Sequence, residues 1–218
     1  MKTWLWWSSG KDSAWALHTL RAQGQDVSAL VTTINAEADR VAMHAVRTEL
    51  VRAQAQALDL PLHLVELPYP CPNGAYEEAA GELIRRAEKE GVTHMAFGDL
   101  FLQDIRDYRV NLLEPFSIEP IFPLWQLETR QLAESMIDAG LVAHLTCVDP
   151  KVIDKSFAGR LFDRSLLDEL PASVDPCGEN GEFHSFVAHG PGFRQPIQVK
   201  SGIIIERDGF VFADVLPA

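Results

Sequence analysis

The sequence predicts an α/β protein built on a doubly wound, mostly parallel sheet, with a small C-terminal α+β appendix. Short apolar, β-branched runs alternate with amphipathic helical patterns as far as about residue 150, which is the spacing of βαβ units. After Pro171 the composition changes, because glycine and proline become frequent between strand-like runs. We therefore expect a larger α/β domain over residues 1–150 and a smaller C-terminal region over residues 151–218.

Each predicted element rests on its hydrophobic period and on the glycine or proline that follows it. The predicted strands of the larger domain are Thr3–Trp7, Val27–Ile34, Leu62–Leu67, Val92–Gly98, Ile118–Phe122 and Leu141–Val148. The predicted helices are Ser13–Gln23, Val41–Leu58, Tyr76–Glu90, Phe101–Leu113, Glu128–Ala139 and one or two short helices within Ser156–Leu170. The predicted C-terminal strands are Phe183–Ala188, Ile197–Glu206 and Phe210–Val215, the last two joined by a hairpin turn at Arg207–Gly209.

The bulk composition limits the classes of protein to which the chain can belong. Its 218 residues, 47% of them hydrophobic, are typical of a globular protein. A net charge of −12 disfavours a large nucleic-acid interface, which needs clustered basic residues. The apolar run after Lys2 is too short for a signal peptide, and no run approaches the ~20 residues of a membrane span. Three scattered cysteines argue against a zinc or iron–sulfur site and fit a reducing compartment, so we expect a cytoplasmic protein.

The first strong motif is the segment Ser8–Ser13, reading SSGKDS, which joins the first strand to the first helix. A strand, a small-residue turn and a helix in this order direct backbone N–H groups and the positive end of the helix at one point, which favours a bound phosphate. Gly10 lets the backbone approach an anion closely, and Lys11 adds a positive charge. The alternative is a serine-rich turn that caps the helix and binds nothing.

Three predicted strand ends carry small or polar residues. They are Ser8–Ser13, Thr32–Ile34 and Gly98–Asp99. In open α/β sheets the ligand lies at the carboxyl ends of the strands, so we expect these three segments to converge on one site.

The second strong motif is the segment Asp175–Ser185, reading DPCGENGEFHS. Glycines, carboxylates, an asparagine, a histidine and a serine crowd into one turn that leads into a strand. Loops that concentrate polar chemistry on a rigid scaffold often carry function. The alternative is a solvated turn with a surface histidine.

Five motifs together resemble the diphthine–ammonia ligase family, within the N-type ATP pyrophosphatase or adenine nucleotide alpha-hydrolase superfamily. They are SSGKDS at 8–13, GDLFLQDIRDYR at 98–109, PIFPLW at 120–125, CVDP at 147–150 and DPCGENGEFHSFV at 175–187. The first is similar to the SGGxDS pyrophosphate-binding loop of the superfamily, with Ser9 in place of the first glycine. The GENGEFH string is specific to this branch, and the compact chain resembles its prokaryotic members.

The resemblance implies an ATP-binding domain, a smaller substrate-facing region and one reaction. ATP adenylates a carboxylate, pyrophosphate leaves, and ammonia displaces AMP to form an amide. The residues expected to bind the nucleotide are Ser8, Ser9, Gly10, Lys11, Asp12, Ser13, Gly98 and Asp99, with backbone contacts to adenine from Thr33 and Ile34. A Mg²⁺ ion bridging phosphate oxygens is expected, and Asp12 and Asp99 are its candidate ligands. The alternative for either aspartate is a helix cap.

The residues expected to be catalytic are Lys11, Asp12, Glu179, Glu182 and His184, and those expected to bind substrate are Arg106, Arg109, Asn180, Glu182 and His184. A carboxylate can take a proton from ammonium, because the attacking species is neutral NH₃, and the sequence does not separate the two glutamates. The arginines pair either with an anionic group of the substrate or with the neighbouring Asp104 or Asp107. His44 is more simply a surface histidine, and Cys177 has no evident base partner and is more simply inert.

The partners implied are ATP, a carboxylate acceptor on a small molecule or a modified protein side chain, and ammonia from a free or separate donor. The acceptor of the namesake family is a modified histidine of elongation factor 2, which occurs in archaea and eukaryotes, so a bacterial source would exclude it. A homodimer is compatible with the chain, and neither a membrane nor a large nucleic acid is expected. Two alternatives stay open: ATP-dependent sulfur or amine transfer to tRNA, which the net charge disfavours, and a non-catalytic adenine-nucleotide-binding module.

Overall fold

The computed structural model describes residues 1–41 and 44–218, which form two sheets with helices packed against them. The strands are β1 (Lys2–Trp6), β2 (Asp26–Asn35), β3 (Arg40–Val41), β4 (Leu62–Leu67), β5 (His94–Ala96), β6 (Glu119–Ile121), β7 (Val142–Val148), β8 (Phe183–His189), β9 (Val199–Arg207) and β10 (Phe210–Pro217). The α-helices are α1 (Lys11–Ala22), α2 (Thr48–Leu58), α3 (Asn73–Lys89), α4 (Gln103–Leu113), α5 (Thr129–Asp138) and α6 (Arg164–Glu169), and a 3₁₀ turn covers Lys155–Phe157. Within the described part of the chain, every helix is too short or too polar to cross a bilayer.

The first sheet is mostly parallel and is buried on both faces. Strands β2, β1, β5 and β6 pair in this order and all in parallel, and β4 also pairs in parallel with β2. The short β3 pairs antiparallel with the end of β2. Along β1, Leu5 belongs to one buried apolar cluster, whereas Trp4 and Trp6 belong to another. A parallel sheet covered on both faces confirms the predicted fold class.

The second sheet is antiparallel, with the strand order β8-β7-β10-β9. It contains the three predicted C-terminal strands and the hairpin turn between the last two, at Asp208 and Gly209. It also contains β7, which the sequence places in series with the parallel strands but which pairs with β8 and β10. An apolar run identifies a strand without identifying its partner, so the sequence pattern does not reveal this pairing.

The predicted helix over Val41–Leu58 begins too early. Helix α2 begins at Thr48, and Val41 belongs to β3. Residues 42 and 43 lie outside the described residues. Ala45 has a φ of 55°, a left-handed conformation that a continuous α-helix does not tolerate. The other predicted strands and helices all overlap observed elements.

Candidate functional site

A cavity of about 220 Å³ lies where the loop at residues 8–13 meets the turn and strand at residues 178–185. Its other walls come from the segment after β5 and from α4. The predicted site residues that line it are Ser8, Lys11, Asp12, Ser13, Gly98, Asp99, Arg109, Glu179 and His184. The two strong sequence motifs, about 170 residues apart in the chain, therefore form one site.

The loop backbone is held in a conformation that most residues avoid. Ser9 has a φ of 71° and is fully buried. Its carbonyl accepts hydrogen bonds from Gln54 Nε2 and from the Val187 amide, both at 3.0 Å. Its hydroxyl is buried and has no hydrogen-bond partner among the described residues. Ser9 therefore supports the backbone of the loop and does not line the cavity.

Two glycines allow the backbone segments around the cavity to pack closely. A Cβ atom added to Gly10 would lie 3.1 Å from both His44 Cε1 and the Ser185 carbonyl oxygen. A Cβ atom added to Gly98 would lie 3.1 Å from the backbone of Asp12. Glycine at these places therefore brings β8 against the loop and the end of β5 against the start of α1.

The Lys11 side chain joins the two motifs. It is 2% exposed, and its Nζ donates to both carboxylate oxygens of Asp12, at 3.0 and 2.8 Å, and to the carbonyl of Cys177. The rings of Phe162 and Phe183 lie 5.6 and 5.3 Å from the same nitrogen. Burial alone would lower the pKa of Lys11, but the acidic groups around it, Asp12 first and then Cys177 and Glu179, together raise that pKa. A buried positive charge is thereby fixed at the junction of the loop and the 175–185 turn.

Three carboxylates line the cavity, those of Asp12, Asp99 and Glu179, and the cations beside them are Lys11 and Arg109. Burial, reinforced by the neighbouring Asp12 and Asp99 and opposed by a hydrogen bond, raises the pKa of Glu179 to about 7. Its Oε1 accepts a hydrogen bond from the Leu100 amide at 2.7 Å. Burial also raises the pKa of Asp99, whose nearest cation is the Arg109 guanidinium with Nε at 3.7 Å. Such a cluster favours a cation or a proton.

Neither Asp12 nor Asp99 caps a helix, although helix capping is the alternative role that the sequence allows for both. Gly10 precedes α1 and Leu102 precedes α4, and neither cap position makes a side-chain capping bond. The Oδ2 atom of Asp99 is buried and has no hydrogen-bond partner among the described residues. Two carboxylates near a phosphate-type loop fit Mg²⁺, which takes few protein ligands in nucleotide sites. Among the described residues no group of three or more His, Cys, Asp or Glu side chains is arranged to hold a metal ion.

Two histidines form one wall of the cavity. The rings of His44 and His184 lie 4.6 Å apart, and both residues line the cavity. Burial lowers the pKa of His44 to about 4 and that of His184 to about 3, so both are neutral at neutral pH. His44 Nδ1 lies 3.2 Å from the Ser185 carbonyl oxygen, to which it donates in the matching tautomer. The sequence interpretation of His44 as a surface histidine is wrong, because nothing local reveals that β8 lies over it.

The segment that carries His44 is anchored to the second sheet. Arg40 and Arg47 flank it, and their guanidinium groups bind the Asp214 carboxylate of β10 at 2.8 and 2.7 Å. Arg40 Nη1 also donates to the carbonyl of Ala45 at 2.6 Å. Ion pairs to the single Asp214 carboxylate therefore hold the residues on both sides of His44 against β10.

Several predicted site residues do not line this cavity, and their ligand roles stay predictions. Thr33 and Ile34 lie in β2 between β4 and β3, and Ile34 is buried in the core. Glu182 is buried, and its Oε1 accepts from the Asp175 amide and from Asn180 Nδ2 at 3.0 and 2.9 Å. These contacts lie within the turn itself, so Glu182 and Asn180 hold the shape of the motif.

The two predicted arginines behave differently. The Arg109 guanidinium lines the cavity, faces Asp99 and donates to the Tyr76 hydroxyl at 3.2 Å. The Arg106 guanidinium stands 5.2 and 5.1 Å from the rings of Phe122 and Trp125. Neither pairs with Asp104 or Asp107 within the described part of the chain. Only Arg109 is placed to meet a ligand in this cavity.

The fold is that of an α/β protein with two sheets, and the cavity lies where the loop after β1 meets the turn and strand β8. Residues 1–112 match the family model described as the Diphthamide synthase N-terminal domain, and residues 128–212 match the Diphthamide synthase C-terminal domain. The chain belongs to the diphthamide synthase family.

Curated relatives of the chain carry the name diphthine–ammonia ligase. The Bos taurus and Homo sapiens proteins are each 27% identical over 231 residues, covering 95% of this chain and 86% of the relative. The Schizosaccharomyces pombe protein is 25% identical over 219 residues, covering 91% of this chain but 36% of that longer protein.

Proposed function

We propose that this protein is an ATP-dependent amide ligase, which adenylates a carboxylate and joins it to ammonia with release of AMP and pyrophosphate. The observation that carries the proposal is the junction of the SSGKDS loop and the GENGEFH turn around one cavity. Membership of the diphthamide synthase family, whose relatives are named as ligases of diphthine and ammonia, supports the same reaction.

The loop at residues 8–13 is the proposed binding site for the polyphosphate of ATP. The positive end of α1 favours an anion there. Ser8 and Ser13 line the cavity, and their hydroxyls, which hydrogen-bond within the loop, would have to turn to donate to a phosphate. The acceptor carboxylate forms a bond to the α-phosphorus while the bond to the pyrophosphate oxygen breaks. Lys11, held protonated, stabilises the negative charge that collects on the leaving pyrophosphate.

Asp12 and Asp99 are the residues that would hold Mg²⁺. The Oδ2 atom of Asp99 is buried and accepts no hydrogen bond, with the Arg109 guanidinium 3.7 Å away, and burial raises the pKa values of both carboxyls; both observations support a further cation at this point. When bound, Mg²⁺ neutralises charge on the phosphate oxygens.

Glu179 is the better candidate to take the proton from the attacking nitrogen. Its carboxylate lines the cavity, and a pKa of about 7 lets it accept a proton near neutral pH. Glu182, by contrast, does not line the cavity, and its Oε1 accepts hydrogen bonds within its own turn. Ammonia then attacks the acyl carbon, the bond to AMP breaks, and the amide forms. Arg109 is the proposed partner of an anionic group on the acceptor.

Pyrophosphate release tests the proposal. The purified protein is incubated with ATP, Mg²⁺, ammonium and a panel of carboxylates, including an elongation factor 2 that carries diphthine. We expect AMP and pyrophosphate in equal amounts with one acceptor, and no release when ammonium and acceptor are both omitted. ADP as the product would overturn the proposal, and so would tight ATP binding without turnover for every acceptor.

The matched variants are Glu179→Gln and Glu182→Gln. Both changes remove one carboxylate from the same motif, but only the first removes it from the cavity. We expect Glu179→Gln to abolish amide formation while ATP still binds. Equal losses in both variants, at equal stability, would contradict the assignment.

A further inference from the structure

Two polar side chains of the cavity, His44 and His184, take no part in the proposed binding of ATP, Mg²⁺ or the acceptor. The charged side chains of the cavity are assigned to the polyphosphate, the metal ion, an anionic group of the acceptor and the transferred proton. Glu179 takes that proton, but a proton acceptor alone does not hold the attacking nitrogen at the acyl carbon. A small nucleophile that must be positioned needs further hydrogen-bond acceptors beside the reacting carbon.

Both histidine rings are neutral, and each offers an acceptor nitrogen. Burial is the main cause that lowers the pKa of His44 to about 4 and that of His184 to about 3. A neutral imidazole carries a proton on one ring nitrogen and a lone pair on the other. His44 Nδ1 lies 3.2 Å from the Ser185 carbonyl oxygen, which can only accept, so the lone pair of His44 is on Nε2. His184 has one acceptor nitrogen in either tautomer.

Packing holds the two rings beside the loop at residues 8–13. Their centroids are 4.6 Å apart, with a tilt of 40° between the ring planes. The loop lies directly against the first ring, because a Cβ atom added to Gly10 would be 3.1 Å from His44 Cε1. The second ring stands on β8 next to Ser185, whose hydroxyl accepts a hydrogen bond from the Lys11 amide at 3.2 Å. The rings therefore lie close to the proposed point of adenylation.

We propose that His44 and His184 form the binding site for the ammonium ion that the ligase consumes, an inference that rests on the proposed function. Ammonium presents only N–H donors, so it matches the acceptor nitrogens of two neutral rings and the nearby carboxylates, whereas protonated rings would repel it. Ammonium gives one proton to Glu179, and the freed lone pair of its nitrogen forms the bond to the acyl carbon. The bond from that carbon to AMP breaks, and a second proton leaves the nitrogen for water.

Nuclear magnetic resonance of the ring nitrogens tests the binding without any acceptor. The ¹⁵N-labelled protein is titrated with ammonium chloride, and we expect the acceptor nitrogens of His44 and His184 to shift saturably as they accept hydrogen bonds. The signals of His63, which stacks on Trp4 outside the cavity, are expected to stay in place. Potassium chloride is the control, because its cation is similar in size but has no N–H donor. Absence of a shift with ammonium, or equal shifts with potassium, would overturn the proposal.

Kinetics with the acceptor found by pyrophosphate release separate this inference from the ligase reaction itself. His44→Asn keeps a donor at the place of Nδ1 but removes Nε2, and His184→Phe removes both ring nitrogens. We expect each change to raise the KM for ammonium about tenfold, because one hydrogen bond to a charged ligand is lost. Isotope exchange between pyrophosphate and ATP, which reports adenylation before ammonium reacts, is expected to keep its wild-type rate.

The matched control is His63→Phe, which removes ring nitrogens outside the cavity and is expected to change neither the KM nor the exchange. An unchanged KM for ammonium in both variants of the histidine pair would refute the ammonium site and leave the ligase reaction standing. ADP as the product would refute the ligase reaction instead, and the titration alone would then decide whether ammonium binds between the two rings.

Discussion

The left-handed conformation of Ser9 predicts that Ser9→Gly makes the protein more stable. A non-glycine residue at a φ of 71° costs about 1–2 kcal/mol. The buried hydroxyl without a partner costs a further amount of about 1 kcal/mol or more. Against these gains, glycine loses about 0.5–1 kcal/mol more through the entropy of the unfolded chain. The net expectation is a gain of about 1–2 kcal/mol in the free energy of unfolding.

Urea unfolding measures this change, with the midpoint expected to rise at an unchanged m-value. Ser9→Ala serves as the comparison, because it removes the hydroxyl but keeps a Cβ atom at the strained φ. We expect the stabilities to rank with the glycine variant above the alanine variant. A glycine variant that is no more stable than the alanine variant would refute the strain argument.

Three further predictions concern the candidate site and its supports. Because Glu179 must be deprotonated to accept a proton, the ligase rate is expected to rise with pH through about 7, and a pH–rate profile of Glu179→Gln should lose that limb. Gln54→Leu removes the hydrogen bonds that Gln54 makes with the Trp7 indole N–H and with the carbonyls of Ser9 and Val187, so ATP binding measured by calorimetry should weaken. The control is Thr32→Val, which removes one buried hydrogen bond nearby and should lower stability without weakening ATP binding. Asp214→Asn should cost at most about 1 kcal/mol by urea unfolding, because its ion pairs are partly exposed, but should raise the KM by loosening the segment beside the cavity.

The sequence predicts the first sheet and one half of the site well, because both depend on local patterns. The βαβ spacing predicts parallel strands, and the small residues of the loop at 8–13 follow directly after β1. The convergence of that loop with Gly98–Asp99 follows from parallel topology, since the carboxyl ends of such strands share one edge.

The remaining features depend on partners that are remote in sequence. Strand β7 joins the second sheet because it pairs with β8 and β10. Helix α2 begins late because Ala45 is left-handed and because Arg47 forms an ion pair with Asp214. The two glutamates of GENGEFH look equivalent in sequence, yet one faces the cavity and the other holds its own turn. Burial of an individual side chain within a turn is a tertiary property that spacing does not encode.

The hydrogen bond from the Lys11 amide to the Ser185 hydroxyl, at 3.2 Å, spans 174 positions of the chain. In this protein the ATP loop proposed here is therefore not a self-contained module of its first strand and helix. During synthesis the loop emerges early, yet its final supports emerge only after most of the chain has left the ribosome. Because closing so large a loop is entropically costly, competence to bind nucleotide should be among the last properties that a folding molecule acquires.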